Sequence, residues 1–220
     1  MQLLINDKEY HLPERWTEVR LGAYMRFMAA FDTEADETEQ QVMLLSAFTG
    51  APQTELLKCK KSDIDEAVKA LALLTNKPIN STLNMVITVD GVDYGFHPKL
   101  KDLTMAEFVD LDKMLQDGWD NMHRVMSILY RPIVKTKGDK YAIEDYDYIK
   151  CREVAKKFKE SLSIATVNGA AAFFLNTGLE YMKITQTYLK KQAKKKQTKG
   201  LKQTATGLPK STAGMELSTP

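Results

Sequence analysis

Sliding "INDKEYHLPERWTEVRLGAY" (residues 5–24) forward by 84 positions lays it on "VDGVDYGFHPKLKDLTMAEF" (89–108), apolar positions on apolar ones. Tyr10 falls on Tyr94, Leu12 on Phe96, Trp16 on Leu100, Val19 on Leu103, Leu21 on Met105 and Tyr24 on Phe108, while Glu18 falls on Asp102. A chain that repeats itself at a fixed period is built from one supersecondary unit used more than once, which constrains the fold more than any composition does. In the second stretch Val86, Thr88 and Val89 precede Asp90-Gly91, and Tyr94 and Phe96 alternate after it. Asp-Gly supplies positive φ at both central positions of a type I′ turn, so a β-hairpin is predicted. Thr104 and Glu107 then have the spacing of a capping box opening a helix. In the first stretch Leu4, Asn6-Asp7, Tyr10 and Leu12 give a weaker hairpin, Pro13 ends it, and a helix starts at Leu21.

The offset continues with small slips. "VMLLSAFTG" (42–50) matches "VMSILYRPI" (125–133) at 83 positions, and "DIDEAVKAL" (63–71) falls near "YDYIKCREV" (146–154). The reading is an α+β fold, mostly helical: a tandem duplication of a β-hairpin plus about three helices, residues 1–80 and 81–162. A C-terminal helical segment (163–192) and a flexible basic tail (193–220) follow. The competing reading is chance similarity between two amphipathic segments.

The apolar helix of each unit stops at the same place, at Gly50 in one and at Arg131-Pro132 in the other. Arg131 is therefore either part of a helix stop or an anion or partner contact exposed at a joint, since arginine is favoured as an interface anchor. In "SIATVNGAAAFFLNTGLEYMKITQTYLKKQ" (163–192) small residues beside aromatics suit a close-packed helix that either closes the core or joins copies. Asn168-Gly169 and Thr177-Gly178 are predicted breaks in it.

The net charge of +2 hides an asymmetry. Residues 1–182 carry 22 basic and 28 acidic side chains, whereas nine lysines face one acid from Lys183 onward. The tail, with Lys190, Lys191, Lys194, Lys195, Lys196, Lys199 and Lys202, is a solvated arm, a segment that threads into an acidic groove of a protein partner, or a phosphate-neutralising nucleic-acid contact. It has no arginine and no aromatic after Tyr188 for base stacking, which favours protein over nucleic acid.

Catalytic chemistry finds little to build on. His11, His97 and His123 are the three histidines, and no HExxH, GxSxG, GxxxxGK[ST] or GxGxxG pattern occurs. Asp110, Asp112, Asp117 and Asp120 lack the glycine and closing glutamate of a calcium loop and read as a solvated face. Cys59 and Cys151 have no CxxC or ligand-spaced histidine, so ordinary thiols are expected, with no metal and no cofactor. Tyr141, Tyr146 and Tyr148 in "KYAIEDYDY" form either an interface patch or packing between the copies. No apolar run reaches the ~20 residues of a membrane span, and the N-terminus lacks the pattern of a signal peptide, so no membrane association is expected.

The opening "MQLLINDKEYHLPERWTEVRLGAYMRF", with "ILYRP" and an "FF" helix much later, resembles small structural or assembly proteins of tailed bacteriophages. Tail-assembly chaperones and the ring proteins of the neck and tail are the nearest types. The resemblance spans about residues 1–190. It implies a non-enzymatic protein, in the virion or in the host cytoplasm during assembly, acting through protein contacts. Its partners would be other tail or portal proteins and copies of itself; chaperones of this type coat another tail protein, and rings are cyclic oligomers docked on a portal.

Overall fold

The computed structural model describes residues 2–5, 8–31, 35–80 and 82–177. Strands β1 (Gln2–Ile5) and β2 (Lys8–His11) pair antiparallel, with Leu3 opposite Tyr10. Alternation sends Leu3 and Ile5 into the core and leaves Leu4 exposed, as the period of a strand requires. The segment after β2 is organised by one carboxylate. Glu18 accepts from the Glu14 amide at 3.0 Å, from Arg15 Nε at 2.8 Å and from His11 Nε2 at 3.2 Å. These bonds to the charged form, the Glu14 amide first, draw its pKa down to about 2.

Helices α1 (Leu21–Phe31), α2 (Glu37–Thr49), α3 (Gln53–Leu56) and α4 (Lys61–Thr75) follow. Asp36 caps α2 by accepting from the Glu39 amide, and Gly50 ends it at φ 77°, a conformation glycine adopts without a side-chain clash. Leu45, Leu56, Ala67, Leu71 and Leu74 bury the inner faces of these helices. Trp16 Nε1 donates to the Lys77 carbonyl at 2.8 Å, fastening the segment after the first hairpin to the end of α4.

The second hairpin, β3 (Val86–Val89) and β4 (Val92–Phe96), turns through Asp90 at φ 51° and Gly91 at φ 75°, the predicted type I′ geometry. The capping box is also present on α5 (Met105–Gln116): Glu107 N donates to Thr104 Oγ1 and Thr104 N to Glu107 Oε2. Helix α6 (Met122–Leu129) runs directly into β5 (Tyr130–Lys137), which turns back as β6 (Lys140–Ile143). The sheet order is β3-β4-β5-β6, all antiparallel. Helix α7 (Tyr148–Ser161) and a last helix, α8 (164–177), complete the described chain.

The fold is α+β and mostly helical. Each half opens with a hairpin followed by two helices and then departs from the other, so the structure does not establish the expected tandem duplication. The first hairpin is its own two-stranded sheet, while the second is half of a four-stranded one. Where the first half has the short α3, the second has the β5–β6 hairpin, so helices alone do not follow Arg131-Pro132. Nor is position 80 a division in packing, because Met1–Phe174 form one compact unit. Tyr24 and Trp119 stack edge to face at 4.7 Å across that position. Val19–Leu21 also meets the end of α7: Leu21 N donates to the Leu162 carbonyl at 2.8 Å and Ile164 N to the Val19 carbonyl at 2.9 Å.

Gly169 does not break α8. The helix passes through it because hydrogen is all that fits there: a Cβ at 169 would overlap the Thr82 carbonyl. Beside it Asn168 Nδ2 donates to the Asn80 carbonyl at 3.1 Å. The predicted break at Thr177-Gly178 and the tail lie at or beyond the limit of the described residues. No described helix is long and apolar enough to cross a membrane.

Candidate functional site

Arg131 is not an exposed contact. It lies on β5 opposite Gly95, 6% exposed, with Nη2 2.6 Å from Glu107 Oε1. That approach is Coulombic rather than an aligned hydrogen bond, and Arg131 Nε is buried with no partner. His97, just past β4, brings Nε2 to 3.7 Å from the same carboxylate oxygen. Burial pushes its pKa below the ordinary imidazole value, with Glu107 pulling the other way. Glu107 is 1% exposed and so does two jobs, capping α5 with Oε2 and facing two basic groups with Oε1. The capping role was legible three residues away from Thr104; the ion pair links positions 24 residues apart in different elements and carried no local signal.

Two of the three tyrosines are packing residues. The Tyr141 hydroxyl lies 2.7 Å from the Phe96 carbonyl and 3.0 Å from that of Met85, with its ring over Gly95. Tyr146 donates to the Asp110 carboxylate, and burial raises its pKa well above the usual phenol range. Asp110 is thereby drawn out of the acidic face that the sequence suggests. Cys151 is a buried free thiol whose pKa burial lifts to about 11. Tyr148 alone of the three stands at the surface, 41% exposed, and accepts from Arg124 Nη2 at 3.0 Å. Lys190, Lys191, Lys194, Lys195, Lys196, Lys199 and Lys202 lie outside the described residues.

Two surface features emerge. The first is on α5, where Met105, Phe108 and Val109 are 77%, 58% and 53% exposed. They stand at i, i+3 and i+4 and so form one stripe, while Glu107, Leu111 and Met114 face inward. The 84-residue match had aligned Met105 with Leu21, which is fully buried. The difference lies in what covers them. The start of α1 is covered by the end of α7, and Gly22 lies so close that a Cβ there would sit 3.0 Å from the Lys159 carbonyl oxygen.

The second is a groove of about 390 Å³ between α6 and α7, lined by Asn121, His123, Arg124, Tyr148, Arg152 and Lys156 over Ala155. Arg152 and Lys156 are one helical turn apart and share a face. His123 Nδ1 is buried without a partner, and burial, with Lys159 and Arg124 adding positive charge, lowers its pKa. The groove is not legible in the sequence because its residues come from two helices; His123 and Tyr148 draw notice there, but neither Arg124, Arg152 nor Lys156 does. Among the described residues, no three His, Cys, Asp or Glu side chains gather as a metal site.

No protein-family model matches the chain, and neither does any curated protein or solved structure.

Proposed function

We propose that the chain is a non-enzymatic assembly protein of a phage tail or neck, working through protein–protein contacts. The observation that carries this reading is the Met105–Phe108–Val109 stripe. Three large apolar side chains on one helical face expose a contiguous patch of the sort that marks an interaction surface. The covered start of α1 supplies a template for what such a face takes: a helix laid across it, as α7 lies across α1. The occupant is accordingly a helix of another tail or portal protein. The sequence resemblance to phage assembly proteins supports the same reading from a separate direction.

The test is light-scattering mass of the full chain, alone and mixed with each purified tail and neck protein of its phage. One discrete complex is expected with the wild type and none with Phe108→Asp, at unchanged melting temperature. Absence of any complex with the wild type, or an undiminished one with Phe108→Asp, would overturn it.

A further inference from the structure

The groove between α6 and α7 gathers positive charge with no carboxylate among its described lining residues. Arg124, Arg152 and Lys156 supply that charge. Lys156 has an acidic neighbour, Glu153 at 3.0 Å, but both are exposed, and such a pair holds weakly in water. Arg124 is instead turned toward Tyr148, its guanidinium 5.9 Å from the ring centroid and Nη2 bonded to the hydroxyl oxygen. That hydroxyl accepts from Arg124, so its own proton remains free to donate. Over residues 1–182, acids outnumber bases by 28 to 22, so abundant carboxylates were at hand to neutralise these cations. A concavity where two guanidiniums and an ammonium converge with no carboxylate between them has the electrostatics of an anion receptor.

We propose that this groove binds a phosphate group of a small phosphorylated ligand, with Arg152 and Arg124 taking its oxygens, Lys156 adding charge and the Tyr148 hydroxyl donating. Guanidinium forks match the spacing of phosphate oxygens two at a time, which an ammonium does not. The volume suits a small molecule, at the low end of ordinary ligand pockets. A polynucleotide would instead call for cations strung along a path, each neutralising one phosphate, whereas these converge in a single hollow. The orphaned Nδ1 of His123 adds a buried polar atom to the same wall.

The experiment titrates the full-length chain with inorganic phosphate by calorimetry and by arginine side-chain NMR, against sodium chloride at matched ionic strength. A parallel arm uses a twenty-nucleotide oligothymidine. Saturable phosphate binding is expected, with the Arg124 and Arg152 signals moving. Arg152→Gln should weaken it about tenfold or more, the loss of a charge-assisted contact, and Arg152→Lys should restore part of it. Equal response to chloride overturns the proposal, as does phosphate binding untouched by Arg152→Gln. So does oligonucleotide binding that depends on Arg152 without saturable phosphate binding, which would make the groove a polymer contact. Both variants lie on the exposed side of α7, so unchanged melting temperatures are expected.

Discussion

The ring of Tyr141 occupies the space above Gly95 that a Cβ would fill, and its hydroxyl reaches across the sheet to the Phe96 carbonyl at 2.7 Å. One side chain thus holds β6 down over β4, although the two strands are separated by β5 in the sheet. Gly95→Ala must displace the ring, and overpacking of this kind costs about 1–3 kcal/mol. Tyr141→Phe keeps the ring and loses the hydroxyl bond, costing about 1 kcal/mol. Urea denaturation checks both. In Tyr141→Ala the Gly95→Ala change should cost much less, and full additivity of the two would refute the steric account.

Removing one member of the Arg131–Glu107 pair leaves the other charge buried. Arg131→Met is therefore expected to destabilise by about 3–5 kcal/mol, and Glu107→Leu by at least as much because the α5 cap goes with it. The double variant should recover a large part of the sum. Chemical denaturation of the four proteins decides the matter; independent effects would mean the pair is not coupled.

Acid should weaken the fold in two separate windows. His97 and His123 are both held below the ordinary imidazole pKa by burial. His97 is faced by the charges of Glu107, Arg131 and Asp102, with the Lys99 amide donating to its Nδ1, and His123 by those of Lys159 and Arg124, with the Asp120 backbone beside it. The unfolded chain then binds protons more readily than the folded one, so stability rises with pH in this range. It is complete above about pH 6.5 and falls as pH drops toward the folded values. Glu18 acts lower down. Its depressed pKa contributes above the unfolded value of 4.5 and is lost as pH falls toward about 2. Melting temperature measured from pH 8 to pH 3 should show both declines, and His97→Gln with His123→Gln should flatten only the upper one.

Gly169→Ala should be among the most damaging single-methyl changes in the chain, because the Thr82 carbonyl is backbone and has nowhere to go. A loss of about 2 kcal/mol or more is expected by calorimetric melting. Gly50→Ala offers the contrast. No atom lies within reach of its Cβ, so only the left-handed φ of 77° is penalised, at about 1 kcal/mol.

The features read correctly from sequence are those fixed by neighbours in the chain. Asp90-Gly91 dictates its turn, Thr104 and Glu107 their cap, and Gly50 its helix end, each within four residues. What escaped was set at a distance. Arg131-Pro132 signalled the end of α6, but nothing in "YRPIVKTK" alone says that Gly95 waits to receive it as a strand partner. Asn168-Gly169 carries the signature of a turn, yet the glycine serves close approach of a backbone 87 residues earlier. The surface stripe was hidden for the opposite reason. Met105 and Phe108 look like core residues beside Leu21 and Tyr24, and only the location of α7 separates covered from bare.

The bonds that tie Val19 and Leu21 to Ile164 and Leu162 also set a timetable. Val19 is made some 145 residues before Ile164, so its carbonyl waits that long before its partner amide exists. Helix α1 can form locally, but the face of it that α7 covers stays wet until α7 has been made. The last helices therefore act as a clasp, and a chain truncated before residue 148 would leave the α1 face bare in addition to the exposed stripe on α5.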